Sequence, residues 1–249
     1  MRKSLFDTYE IPYTLPIQSL TKNLSGRSYC IPALDADPTQ IRSVFETNVY
    51  GVMAITQAFT PLLIQTSSTH FSTSPTSALP SIINIGSISA VNPYVFGSIY
   101  NASKAALHAY TNTLRLELSP FSVNVLLIVT GGVQSNIAVQ RTISDTTSTL
   151  QNVGELIKLP PGSMYFPIEE QYNRRQTHSQ EGAMPARVYA QDVVDAALKG
   201  RKEIWTGNKG KLVMFVVSWL GRWVLDLVMV RMFGLDKLRA AFRAQKKVL

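Results

Sequence analysis

Cysteine is almost absent from this chain of 249 residues: Cys30 stands alone. One thiol cannot close an internal disulfide, which excludes a disulfide-stapled fold and fits a reducing compartment. Its expected place is a buried or partly buried small side chain. Histidine is scarce too. His70, His108 and His178 lie far apart with no carboxylate or cysteine at ligand spacing, so no metal site is expected. A run of about 20 apolar residues, the length that spans a bilayer, is also missing. The most apolar stretch, Leu212 to Leu220, meets Arg222, Asp226 and Arg231 too soon to be a span. Arg2 and Lys3 open the chain without an apolar stretch behind them, so no secretory signal is expected.

Apolar residues make up 45% of the chain, enough for one domain with a substantial core. The net charge of +8 is unevenly spread. From Lys199 to Leu249 twelve Lys and Arg face Glu203, Asp226 and Asp236, a balance of +9, so the first 198 residues carry −1. The same tail holds Trp205, Trp219 and Trp223, all three tryptophans. Lys211, Ser218, Arg222 and Asp226 recur at helical spacing and leave a wide apolar arc, so residues 208–249 read as a basic amphipathic helical tail. Two readings stay open: an in-plane anchor on anionic lipid, or packing on the domain or on a second subunit as a homo-oligomer. Nucleic acid is not an expected partner, because no recognition motif accompanies the charge.

The chemistry is concentrated in Ser87 to Lys104. Tyr100 and Lys104 stand four apart, which puts them on one helix face about one turn apart. A free phenol has a pKa near ~10. A fixed cation beside it favours the phenolate and brings it towards neutral working range. Ser87, thirteen residues before Tyr100, can hydrogen-bond the same substrate oxygen as charge develops on it. The three suit carbonyl–alcohol interconversion. Ser81 to Gly86 reads as a short buried parallel strand just upstream.

These residues resemble the short-chain dehydrogenase/reductase family. There, a strand ending in Asn-Ile-Ser/Gly-Ser leads to the catalytic serine, and Tyr-x-x-x-Lys carries the proton transfer. More of the pattern follows in order, from about Gly26 to Trp205. Phe45 to Gly51 is similar to the family's central helix, in which Asn48 would bend the helix and hold a water near the lysine. Phe121 to Val129 reads as the next buried strand and enters Thr130-Gly-Gly-Val-Gln-Ser135. That segment resembles the family's Pro-Gly-x-Val-x-Thr turn with Thr130 in place of Pro and Ser135 in place of Thr. The resemblance makes Asn48, Ser87, Tyr100 and Lys104 the catalytic set. It assigns cofactor contacts to Asn23, Tyr100, Lys104, Val133 and Ser135.

A chain that binds a dinucleotide in a doubly wound sheet needs a first strand, a Gly-rich turn and a helix N-terminus for the pyrophosphate. The family has Thr-Gly-x-x-x-Gly-x-Gly there, and no such cluster occurs in this sequence. Asn23-Leu-Ser-Gly26 is the nearest remnant of the family's Asn-Asn-Ala-Gly. Met1 to Lys22 does not read as a buried strand, because Pro12 and Pro16 interrupt it and Gln18, Ser19, Thr21 and Lys22 crowd its apolar positions.

The expected fold is therefore α/β: a partial Rossmann-like, doubly wound parallel sheet that lacks its first strands, with a helical tail. Residues 1–22 are expected to be a non-family segment and 23–207 the C-terminal part of the family's domain. Its central strand would become an edge. Gln65 to Pro80 reads as a long loop. Ile137 to Gly182 reads as irregular, and the resemblance makes it a mobile substrate lid. Met184 to Leu198 reads as a helix capped near Ala190 to Asp192, and Glu203 to Gly207 as the last strand and its turn. The ending resembles the fungal acyl-dihydroxyacetone-phosphate reductase branch. That implies NADP as cofactor, a small-molecule carbonyl or alcohol as substrate, and a cytosolic place on endoplasmic-reticulum or lipid-droplet membrane. The competing reading is a catalytically silent remnant acting through its tail.

Overall fold

The apolar runs at Ile82 to Ile85 and Val125 to Val129 build a sheet buried on both sides. The structure, a computed structural model, describes residues 20–23, 26–70, 79–135, 137 and 156–245. Four strands, β1 (Leu20–Asn23), β2 (Ser81–Ile85), β3 (Asn124–Thr130) and β4 (Glu203–Thr206), run parallel in that spatial order. Asn23 pairs with Asn84, Ile83 with Leu126, and Thr130 with Thr206. Parallel neighbours need crossovers, and helices supply them. These are α1 (Pro38–Phe45) and α2 (Gly51–His70), then α3 (Ser98–Glu117), then α4 (Glu169–His178) and α5 (Ala186–Leu198).

The period of two along each strand separates the faces. Ile82 and Val125 pack with Leu63 of α2 and Leu114 of α3 on one side. Ile83, Leu126 and Ile128 pack with Val193, Ala196 and Ala197 of α5 on the other. Asn84 is buried mid-strand and donates from Nδ2 to Thr111 Oγ1 on α3 at 3.0 Å, which avoids an unpaired amide in the core.

Four expectations need correction. Leu20–Asn23 is a strand despite its polar residues, paired on one side only among the described residues; an edge strand tolerates polar positions that a central one does not. The segment expected to be a loop from Gln65 is helical to His70. Two of its hydroxyls bond within the helix, Thr66 Oγ1 to Leu62 O at 2.8 Å and Ser68 Oγ to Ile64 O at 3.0 Å, while Ser67 Oγ donates to Ser122 O at 3.3 Å. The segment expected to be irregular contains α4, with Glu169 and Glu170 in its first turn and Arg175 and His178 in its last, each suited to the helix dipole. Of the expected lid, Ile137 to Gly182, residues 138–155 lie outside the described residues. Finally, α5 begins at Ala186 behind Pro185 rather than near Ala190; Asp192, read as a cap, instead accepts from Thr206 Oγ1 on β4.

The tail is helical but broken. α6 (Gly210–Phe215) continues as a π-helical turn over Val216–Leu220, and α7 (Arg222–Met232) and α8 (Leu235–Gln245) follow. Gly221 at φ 86° and Gly234 at φ 69° make the breaks, conformations that suit glycine. The stripe of Lys211, Ser218, Arg222 and Asp226 is thus cut at Gly221. Met229 and Phe233 fold back into a cluster with Cys30, Phe96, Leu159, Ile168 and Tyr172.

Candidate active site

Tyr100 lies in the first turn of α3, and Lys104 one turn on points inward. The lysine is 3% exposed, and its Nζ donates to the carbonyl of Ile85 at the end of β2 at 2.8 Å. Burial pushes the ammonium down to about 8. Nζ sits 5.9 Å from the centre of the Tyr100 ring.

Ser87 lies two residues past β2, and its Oγ accepts the N–H of Ser89 at 3.1 Å as the chain enters a short 3₁₀ turn over Ile88–Ala90. The hydroxyl accepts there, which leaves its hydrogen to donate elsewhere. The backbone N–H of Ser87 donates to Nε2 of His108, 3.1 Å away on the next turn of α3 after Lys104.

Asn48 sits in a π-helical turn, Glu46–Tyr50, between α1 and α2. Its Oδ1 accepts from Arg27 N at 2.8 Å; its Nδ2 donates to Arg27 O and to Ser103 Oγ, each at 2.9 Å. Ser103 Oγ donates in turn to Tyr100 O at 2.8 Å. One fully buried amide therefore links the segment after Asn23 to the helix carrying Tyr100 and Lys104.

Asn23 ends β1 beside Asn84. Thr130 ends β3, and the Gly131-Gly132 turn is clasped by Asn208: Gly132 N donates to Asn208 O at 2.9 Å and Asn208 N to Gly132 O at 2.8 Å. A Cβ on Gly131 would stand 2.1 Å from Asn208 O, so only glycine fits. Val133 is bridged to Met184, and Ser135 is exposed. Thr130, the departure from the family's proline, shares a hydrogen bond with Tyr189 OH on α5 at 2.7 Å. Burial first, and the nearby Tyr100 less, push the Tyr189 phenol up to about 12.

The structure thus brings Ser87, Tyr100, Lys104 and Asn48 around the ends of β2 and α3, with Val133 and Ser135 on the turn after β3. Sequence reasoning missed His108, Ser103 and Tyr189. The spacing of four between Lys104 and His108 was the available signal for the first. A cavity of about 410 Å³ beside β4 is lined by Met184, Asp192, Thr206 and Lys209 and not by Ser87, Tyr100 or Lys104, so it is not the site of the chemistry. Among the described residues no cluster of His, Cys, Asp and Glu could hold a metal ion, and no helix is long and apolar enough to cross a membrane.

These elements define a class. The short chain dehydrogenase family matches residues 14–145, and the chain belongs to the short-chain dehydrogenase/reductase family, oxidoreductases that act on small molecules. A short-chain dehydrogenase of Hypocrea virens is 35% identical over 227 residues, covering 90% of this chain and 70% of that protein. The NADPH-dependent 1-acyldihydroxyacetone phosphate reductase of Saccharomyces cerevisiae is 31% identical over 231 residues, covering 92% and 69%. In fold, the chain matches a short-chain dehydrogenase from Burkholderia cenocepacia, solved in complex with NADP, with a TM-score of 0.59 at 22% identity over 85% of this chain and 68% of that one.

Whether the residues present fit a nicotinamide dinucleotide divides at its two ends. At the nicotinamide–ribose end they do. The Lys104 ammonium has three N–H groups, of which Ile85 O takes one, which leaves two that could meet ribose hydroxyls. For the pyrophosphate, the sequence has no Gly-rich turn.

Proposed function

We propose that the site reduces a ketone to an alcohol with NADPH. The single observation carrying this reading is the buried Lys104, 5.9 Å from the centre of the Tyr100 ring and bonded to Ile85 O at the end of β2, two residues before Ser87. NADPH, when bound, supplies the hydride. Ser87 holds the carbonyl oxygen through its hydroxyl hydrogen, oriented by the Ser89 N–H. Tyr100 gives its proton to that oxygen as it becomes an alkoxide, leaving a phenolate. The Lys104 ammonium, fixed by Ile85 O, favours that phenolate and has N–H groups to offer ribose hydroxyls. The side chain of Asn48 is committed to Arg27 and Ser103, so a water that returns the proton to Tyr100 falls to its main chain, where a π turn loosens the carbonyl ladder. Val133 and Ser135 are the contacts proposed for the carboxamide, and Asn23 for the ribose end. The identity to an NADPH-dependent reductase supports NADP over NAD.

The test is NADPH-dependent reduction of a panel of aliphatic ketones, followed by NADPH absorbance. Tyr100→Phe is expected to lower kcat by at least about 100-fold, the usual scale of a lost general acid. Equal turnover by wild type and Tyr100→Phe overturns the assignment, and no turnover on any ketone leaves the silent reading in its place.

The tail supports a second reading, a site on anionic lipid at the cytosolic face of the endoplasmic reticulum or a lipid droplet. Leu212, Phe215, Trp219, Leu220 and Trp223 are exposed on either side of the break at Gly221, Trp219 by 78% and Trp223 by 67%. Lys209, Lys211 and Arg222 flank them. Tryptophan beside basic residues suits the interface between headgroups and acyl chains. The full chain is expected to sediment with phosphatidylserine vesicles, and Trp219→Ser with Trp223→Ser to abolish this. Concentration-dependent self-association with no vesicle binding assigns the face to a second copy instead.

A further inference from the structure

We infer that His108 is a positioning residue for Ser87: its neutral ring accepts the serine's backbone N–H, and the same ring obliges residue 86 to be glycine. The inference rests on the reading of Ser87 as the group that holds the substrate oxygen.

The geometry is specific. Ser87 stands where the sheet ends, so its N–H has lost the ladder partner that strand residues have, and the residue is buried. His108 Nε2 takes that N–H at 3.1 Å. Accepting requires an unprotonated Nε2, which places the ring's one hydrogen on Nδ1. The ring approaches the backbone so closely that a Cβ on Gly86 would meet Nε2 at 2.2 Å and Cδ2 at 2.7 Å, with Ile128 O at 3.0 Å behind. Glycine here is thus demanded by an imidazole, since residue 86 is not in the left-handed region. Together with the Ser89 N–H on Oγ, the His108 contact fixes Ser87 at both main chain and side chain.

The surroundings keep the ring neutral. Burial first, and then the Lys104 cation one turn back on the same helix, push His108 down to about 4. The ring faces Gly86 and Ser87, neither of them an acid that could stabilise an imidazolium, and the charge that acts on it is the Lys104 cation. Protonation would therefore place two cations one turn apart and cost Ser87 its acceptor.

The test uses the intact chain and needs no substrate. In ¹⁵N-labelled protein, His108 is expected to stay neutral down to about pH 5, and the Ser87 amide to carry the downfield shift of a hydrogen bond. His108→Leu keeps the bulk but removes the acceptor, and is expected to speed Ser87 amide exchange about tenfold or more. His108→Gln, which restores an acceptor, is expected to recover most of that protection. If His108 titrates near its ordinary value, or His108→Leu leaves the Ser87 amide unchanged, the inference is overturned; the titration needs no variant to fold. Ketone turnover then separates the two readings. A loss of kcat in His108→Leu without a change in NADPH affinity, rescued by Gln, supports both. Amide effects in a chain that never turns over sink the reductase reading and leave His108 as the group that fixes residue 87.

Discussion

Lys104 holds a charge where water is excluded, and its cost has a readable pH dependence. Its pKa is near 8 in the fold against 10.5 for the ordinary group, so between those values the unfolded chain binds more protons than the native one. Stability from this residue therefore rises as pH rises through that window, by up to roughly 3 kcal/mol in all. Tyr29, Tyr110 and Tyr189, whose phenols are raised by burial, act oppositely above pH 10, so the Lys104 effect is clearest between pH 8 and 10. Urea denaturation across that range is expected to show the rise in wild type and not in Lys104→Met. The pair Tyr100 and Lys104, and Ser87 thirteen residues earlier, were legible in the sequence because helix spacing is regular and the serine follows an apolar strand. The contact of His108 was not: its spacing of four from Lys104 marks a shared helix face but carries no sign of the backbone it meets. Nor was Tyr189, since its partner Thr130 is 59 residues away and meets it only through the packing of α5 on the sheet.

At the scale of elements, the bend at Asn48 is the joint on which the site depends. Its amide satisfies both main-chain groups of Arg27, across 21 residues of sequence. Asn48→Ala is expected to remove those bonds and the one to Ser103 and to cost about 2–4 kcal/mol, measured by urea denaturation. Asn48→Asp is expected not to rescue, because a carboxylate cannot donate to Arg27 O. The strands β2, β3 and β4 and the helix α3 could be read from apolar runs and from the small residues after Tyr100. β1 could not, because an edge strand lacks the apolar run that marks a central one. The end of α2 was hidden by a Ser- and Thr-rich composition, of which Thr66 and Ser68 turn out to bond within the helix, and α4 by its polar and charged residues. The breaks in the tail have a similar lesson. A periodicity of polar residues suggested one helix, while Gly221, at φ 86° and ψ 161°, ends it. Gly221→Ala is expected to cost about 1–3 kcal/mol, seen as a lower Tm, because that backbone region is almost confined to glycine.

For the molecule as a whole, the tail belongs to the core as well as to the surface. Phe233 is 2% exposed and makes edge contacts with Tyr94 and Phe96, ring centres 5.5 and 6.5 Å apart. Arg175 lies under the same aromatics, 3.5 Å from the centre of the Tyr94 ring, and donates to Val95 O at 2.9 Å. The segment after Ser87, the helix α4 and the tail are therefore one packed unit. Phe233→Ala is expected to destabilise the whole chain by about 3–5 kcal/mol in one cooperative transition followed by circular dichroism, and a separate tail transition would contradict this packing. Removing the tail would thus injure the domain, and exposed residues such as Trp219 and Trp223 are the ones to change when lipid binding is tested. The α/β class and the parallel sheet followed from the resemblance to the short-chain dehydrogenase/reductase family, carried by the Tyr100–Lys104 pair and the apolar strands around it. How the tail divides between core and surface did not, because its inward and outward faces are both apolar.

The most direct test of the reductase reading is a fluorescence titration of the folded 249-residue chain with NADPH, in wild type, Tyr100→Phe and Lys104→Met. Saturable binding that survives in Tyr100→Phe and weakens at least about tenfold in Lys104→Met is the predicted result, since the phenol moves a proton while the ammonium holds the cofactor. A folded chain that shows no saturable binding of NADPH, or binds it equally well without Lys104, would contradict the account.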